Sequence, residues 1–390
     1  MYIRRDFEEM FAKTIRSGKV LVVYGSSQTG KTTVIEKVLA SDEFRNSGIV
    51  SLSGDVKLHR DMLAYGSMTP EKARSILGNA KILFVDEAQK ILDIGLTLKI
   101  IHDHLKDVHI IATGSSSFEL SEEVGEPLTG RMASFILPPI SFTELAAMNG
   151  NVSEMAKLYV RLRFGSYPDV VTAPTESDAI ENLNQLCDAY LFKDVLKWQS
   201  LKNSEILGKL VRALALQLGD EVSYKELGDI VGIGNETAQN YVERLEKSFV
   251  VFRLPAFARN LRNELKKSRK VYFCDTGVRN AVLRNYLQED CRDDLGHLFE
   301  NYLISERLKS NNILRRNVRC YFWRTSQPSD GEIDFIEEAS DGTVNAYEFK
   351  LNPSKAAKAK CPERFKKAYP DARWNVVSRE NYTDFVRSAW

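Results

Sequence analysis

The stretch Gly25-Ser26-Ser27-Gln28-Thr29-Gly30-Lys31-Thr32 sets two glycines around four small or polar residues, then a lysine and a hydroxyl. That order fits GxxxxGK[ST], a loop that cradles phosphate. Its glycines let the backbone wrap an anion, and the N–H groups opening the next helix face it. Lys31 is expected to hold the β and γ phosphates, and Thr32 to ligate Mg²⁺ through its hydroxyl. Thr33 either helps start the helix or touches the α-phosphate. Downstream, Asp86 and Glu87 follow the apolar run KILFV. There a carboxylate can hold the metal's shell while its neighbour orients the attacking water. Thr113 closes another apolar run ahead of the hydroxyl cluster Ser115 to Ser117, and is the favoured γ-phosphate sensor. Arg131 has two readings: an arginine finger supplied to a neighbouring subunit, or one of the many surface arginines that do nothing.

A second group of chemistry-bearing residues lies near the C-terminus. Asp334 in GEIDF precedes Glu348 and Lys350 in YEFK. Positions two apart on a strand share a face, so Glu348 and Lys350 would point into one site. Glu300, on a helix with Leu298, Tyr302 and Leu303 in its apolar stripe, could join them. Three carboxylates and a lysine can bind a divalent metal and activate water against a phosphodiester. The plainer alternative is surface salt bridging by Glu332 and Asp334, with Lys350 merely neutralising buried charge.

The elements that must position these groups alternate. VLVVY, KILFVD and VHIIATG read as buried strands, each followed by a loop or helix, which predicts an α/β protein with a parallel sheet and ligands at the strands' carboxyl ends. Residues 1–140 form this nucleotide domain. From 141 to 205 apolar residues recur at helical spacing, interrupted at Gly165 to Asp169, as in a helical lid. Residues 206–270 carry a helix-turn-helix pattern: Ser223 caps a first helix, Gly232 to Gly234 turn, and a second helix starts near Asn235, with FVVFRL as a wing. Leu227, Ile230, Ile233, Ala238, Val242 and Leu245 are spaced to pack these helices together. The second helix would offer Asn235, Glu236, Gln239, Asn240 and Glu243, a face suited either to adenine readout or to protein docking. Residues 271–390 alternate strands and helices and hold the carboxylate group.

Charge narrows the partners only locally. Lys and Arg total 54 against 53 Asp and Glu in 390 residues, so the overall balance excludes neither nucleic acid nor membrane. Residues 255–272 concentrate Arg259, Arg262, Lys266, Lys267, Arg269 and Lys270 against Glu264, and residues 350–367 hold seven bases against Glu363. Such runs can hold a polyanion or serve as solvated faces. Five cysteines without a CxxC spacing indicate neither a disulfide framework nor a zinc site, and suit a reducing, cytoplasmic setting. No long apolar run predicts a membrane span.

The order of these motifs resembles the AAA-type ATPases, in particular a prokaryotic group of predicted ATPases with an uncharacterised C-terminal region, and the resemblance covers nearly the whole chain. It implies ATP with Mg²⁺, a five-stranded parallel sheet with the P-loop strand central, a helical lid, and assembly into oligomers. The helical glutamate, the WRT strand, EIDF and EFK resemble the PD-(D/E)XK nuclease core. That implies a possible second divalent metal and a nuclease-like fold that either cuts, grips nucleic acid or braces the ATPase. Three functions therefore stand: an ATPase driving a DNA-associated module, a nucleotide-gated DNA- or protein-binding switch, and an ATP-regulated metal-dependent nuclease.

Overall fold

The three interior strands of the first sheet are buried on both faces, and this decides where the sheet sits. In a computed structural model describing residues 1–115, 125–188, 204–258, 269–325 and 331–387, five parallel strands lie in the order β2-β3-β4-β1-β5. They are β1 (Val20–Tyr24), β2 (Ile49–Ser53), β3 (Ile82–Asp86), β4 (His109–Gly114) and β5 (Met132–Ile136). Alternate side chains enter separate cores. Val20, Val22, Leu83, Val85 and Ile110 pack on one side; Leu21, Val23, Ile82, Phe84 and Ile111 pack on the other. Continuous apolar runs are what a doubly covered parallel sheet requires. The central place belongs to β4, which corrects the expectation that the P-loop strand is central. β1 is interior, between β4 and β5. Helix α1 (Lys31–Leu39) follows the P-loop, and α2 (Ile94–His104) precedes β4.

The chain divides into two compact units, the first Met1–Ile140 with Lys247–Phe249, the second Ser141–Glu246 with Val250–Trp390. The helices expected to form a lid on the nucleotide domain belong to the second unit. Phe142, Leu162, Phe164 and Leu183 share one core with Leu210, Val242, Tyr272, Phe299 and Phe335. Their apolar faces are thus committed to the C-terminal elements.

That second unit contains α3 (Ser204–Leu216), α4 (Tyr224–Val231), α5 (Asn235–Lys247) and the long α6 (Leu295–Ile313). A three-stranded antiparallel sheet runs β6-β8-β7, with β6 (Glu221–Val222), β7 (Val251–Pro255) and β8 (Arg269–Phe273). A four-stranded sheet runs β12-β11-β10-β9: β9 (Val318–Arg324), β10 (Glu332–Ala339) and β11 (Val344–Phe349) antiparallel, β12 (Arg373–Val377) parallel to β11. A bridge from Ala256 to Phe322 joins the two sheets.

Ser223 caps α4 by accepting the Glu226 N–H, and α4 ends at Gly232 in a left-handed conformation. Leu227, Ala238, Val242 and Leu245 are buried as the spacing demands, whereas Ile230 is 54% exposed and Val231 packs in its stead. The apolar stripe of α4 runs from Leu227 to Val231 instead of to Ile230.

Helix α6 is buried around most of its girth, so its charged residues must be paired. Arg307 donates to both oxygens of Glu337 on β10 at 2.8 and 2.7 Å and to the Phe385 carbonyl at 2.7 Å; Asn311 also donates to Glu337. These bonds fasten helix to sheet and fix how the second unit's polar residues are presented.

Candidate nucleotide site and carboxylate cleft

The P-loop connects the end of β1 to the start of α1; one of its positions admits only glycine and another favours it. A Cβ on Gly25 would lie 2.3 Å from the Leu137 carbonyl oxygen, and Gly30 has φ of 88° as the cap of α1. Within the loop the Thr29 hydroxyl donates to the Ser26 carbonyl at 2.9 Å. Lys31 is buried and donates to the carbonyls of Gly25 and Ser26 at 2.9 and 3.0 Å, holding its ammonium against the loop. Ser27 and Gln28 form the remainder of the turn, Gln28 with φ of 65°. Thr33 lies inside α1.

Three motifs meet at the carboxyl ends of β1, β3 and β4. Asp86 Oδ1 accepts from Thr32 Oγ1 at 2.9 Å and from Thr113 Oγ1 at 2.6 Å. The Thr113 hydroxyl in turn accepts the Glu87 N–H at 3.0 Å. Glu87 is left-handed at φ of 49°, a conformation costing a non-glycine residue about 1–3 kcal/mol and concentrated at functional sites. Its carboxylate accepts from Gln89 at 2.8 Å and lies 3.4 Å from Lys90 Nζ. Gln89 also donates to Ser115 at 3.0 Å. Ser116 and Ser117 fall outside the described residues.

The donor set fits a magnesium nucleotide. Thr32 and Asp86 offer a hydroxyl and a carboxylate, hard oxygen donors of the kind Mg²⁺ takes alongside phosphates and water. When bound, the ion would neutralise phosphate charge, while Lys31 and the loop amides hold the phosphates.

Sequence spacing alone missed two residues here. Gln89 is legible only as a polar residue two places beyond Glu87. Arg5 gives no signal: it is 3% exposed and donates to the Thr29 carbonyl at 3.0 Å and the Pro138 carbonyl at 2.6 Å, tying the P-loop to the strand beyond it.

Arg131 is not brought to this site. Its carbonyl accepts the Val20 N–H, placing it at the amino end of β1, while the P-loop leaves the carboxyl end, roughly 13 Å away at a strand's rise per residue. Its side chain pairs with Asp103 at 3.0 Å.

The C-terminal residues gather differently. Glu300, Asp334 and Lys350 line one cleft of about 460 Å³ together with His297, Lys355 and Arg379. Asp334 reaches it through a register shift in the β10–β9 ladder. Ile333 and Ile336 both pack in the small core with Trp323 and Phe365, and the irregularity between them brackets Asp334. Its Oδ2 accepts the Phe349 N–H at 2.7 Å. Burial first, and the Glu300 carboxylate second, push Asp334 up to about 7; burial and then Asp334 push Glu348 up to about 7.

The expected convergence of Glu300, Asp334 and Glu348 on one metal-sized space is not met. Among the described residues no group of three or more His, Cys, Asp or Glu side chains is arranged to hold a metal. Tyr347 and Phe349 join the main core with α6, while Ala346 enters the small core on the other face. Glu348 is absent from the cleft lining but pairs with Lys350, which is part of it. Glu300 is already engaged: the Tyr272 hydroxyl donates to Oε1 at 2.6 Å, and Lys270 Nζ is 3.4 Å away. Neither Tyr272 nor Lys270 was marked as a partner of Glu300 by the sequence pattern.

Of the basic run 255–272, Arg259, Arg262, Lys266 and Lys267 lie outside the described residues. On α5, Asn235, Glu236 and Asn240 are exposed, but Gln239 donates to Glu243, which is also 3.5 Å from Arg253. None of the described helices is long and apolar enough to cross a membrane.

These features are those of a P-loop nucleotide-binding domain. Residues 17–146 match the family model described as AAA domain, which implies ATP binding and hydrolysis with Mg²⁺. Residues 155–289 match domain of unknown function DUF8612, and residues 295–387 match domain of unknown function DUF4143. Similar chains include an uncharacterized protein of Methanocaldococcus jannaschii, 25% identical, with 96% of this chain and 83% of that protein covered. An uncharacterized protein of Mycobacterium tuberculosis is also 25% identical, with coverages of 89% and 74%. Among solved structures, AMPPCP-bound DnaA from Aquifex aeolicus aligns at TM-score 0.31 and 12% identity over 63% of this chain and 89% of that one. DnaA bound to AMPPCP and single-stranded DNA aligns at TM-score 0.35 and 13% identity, with coverages of 63% and 90%.

Proposed function

We propose that the chain is an ATPase whose nucleotide state governs a DNA-associated C-terminal unit. The observation that carries the hydrolytic half is the network Thr32–Asp86–Thr113–Glu87, in which one carboxylate joins the P-loop hydroxyl to the sensor and the sensor fixes the backbone of the water-activating glutamate. Glu87 orients water, Gln89 holds Glu87, and Lys31 holds phosphate. Arg131 would serve as a finger only for a neighbouring subunit, and only after leaving Asp103.

The DNA half is supported by the arrangement α4, turn, α5 and the β7–β8 pair, which has the element order of a winged helix-turn-helix. Lys355 and Arg379 on the rim of the carboxylate cleft support it further. The nuclease-like reading is kept for the fold of β9 to β12 with α6. The test is ATP hydrolysis by the purified chain with and without duplex and single-stranded DNA. Lys31→Ala and Glu87→Gln should each lower turnover roughly hundredfold or more. Stimulation by DNA supports the coupled unit. Unstimulated turnover points to a protein partner, and ATP binding without turnover defeats the hydrolytic reading in favour of a nucleotide-gated switch.

A further inference from the structure

Lys270 is a buried cation supplied from outside the four-stranded sheet. Its strand, β8, is paired on both edges, opposite Glu221 on β6 and Leu254 on β7, so its backbone has little freedom. The side chain is 4% exposed, lies over the Phe322 ring at 5.4 Å, and ion-pairs with Glu332 of β10 while standing 3.4 Å from Glu300 of α6. One ammonium thus cross-links a helical and a strand carboxylate, and a buried ammonium's three donors can satisfy both. Tyr272, two residues on, supplies Glu300 with a further hydrogen bond. Cross-linking acids from separate elements is the structural task a divalent ion performs in a carboxylate cluster.

We infer that Lys270 takes the place of a divalent cation between Glu300 and Glu332, so that the C-terminal carboxylate cluster binds neither Mg²⁺ nor Mn²⁺. This deepens the reading of the C-terminal unit as DNA-associated, on which it rests. The cleft then holds phosphodiester by charge, through Lys355 and Arg379 at its rim, and has no metal-activated water with which to cut it.

The test is Mn²⁺ binding by the nucleotide-free full chain, followed by electron paramagnetic resonance. Wild type, Asp334→Asn and Glu300→Gln should take up the same number of equivalents. Lys270→Met should gain one, at least tenfold tighter than any uptake by wild type at this cluster, and adding Asp334→Asn should remove it. Loss of an equivalent from wild type on Asp334→Asn or Glu300→Gln overturns the inference, as does a folded Lys270→Met chain that gains none. Should Lys270→Met fail to fold, the comparison of wild type with Asp334→Asn still decides. DNA retention measured by gel shift on the same samples separates the two ideas. A chain that binds no DNA and no metal defeats the DNA reading and supports the ammonium assignment.

Discussion

At the scale of single residues, the carboxylates of the two units live under different conditions. Asp86 is surrounded by donors: two hydroxyls reach one of its oxygens. Asp334 is buried beside Glu300, with one backbone N–H and the more distant ammonium groups of Lys270 and Lys350 to offset the cost, and its carboxyl rises to about 7. The sign follows from proton counting. Between the ordinary carboxylate range and about 7 the folded chain binds a proton that the unfolded chain releases, so Asp334 costs stability as pH rises through that window. A tenfold difference in proton affinity between the folded and unfolded chains is worth about 1.4 kcal/mol. Asp334→Asn should therefore gain stability relative to wild type on going from pH 5 to pH 8, measured as the difference in urea midpoints. An unchanged difference would show that Asp334 is ionised throughout.

At the scale of elements, the pair Arg307–Glu337 joins α6 to β10 with both side chains at most 1% exposed. Removing one member of a buried pair leaves the other uncompensated, at a cost of about 3–5 kcal/mol. Arg307→Met should lower the unfolding free energy of the second unit by an amount in that range, read from urea denaturation. Replacing both partners, as Arg307→Met with Glu337→Leu, should recover much of it, and equal losses in single and double variants would contradict the pairing argument. Elements also show where the sequence could be read. Strands β1, β3 and β4 announced themselves because a doubly covered strand must be apolar at every position. The stripe of α4 was misread at one position, Ile230 taken for Val231, because adjacent β-branched residues satisfy helical spacing equally well. The helices of 141–188 were legible as helices, yet their assignment to a lid was not, since an apolar face does not name the surface that buries it.

At the scale of the whole molecule, ATP binding should act as a stability ligand for the unit bearing the P-loop. A ligand at a hundred times its dissociation constant stabilises by about 2.7 kcal/mol. Magnesium ATP should raise the thermal midpoint of that unit in wild type and leave Lys31→Ala unmoved, as scanning calorimetry would record. A DNA complex held through phosphates should weaken steeply between low and physiological salt, and a flat salt profile would count against a phosphate-gripping cleft.

The sequence by itself determined the nucleotide chemistry. Glycine, lysine, threonine and paired acids at the ends of apolar runs act through backbone conformation and local spacing, and local spacing is written along the chain. The same locality made Glu348 and Lys350 legible as a pair. Only the tertiary structure decided what those groups meet. It set Gln89 against Glu87 and Arg5 beneath the P-loop, tied Arg131 to Asp103 at the amino end of β1, left Glu348 off the lining of the cleft that its partner Lys350 joins, and brought Lys270 from a separate sheet to Glu300. Charge pairing in a buried interior depends on distance in space, and strand order and a single ladder irregularity set those distances without leaving a periodic trace in the chain.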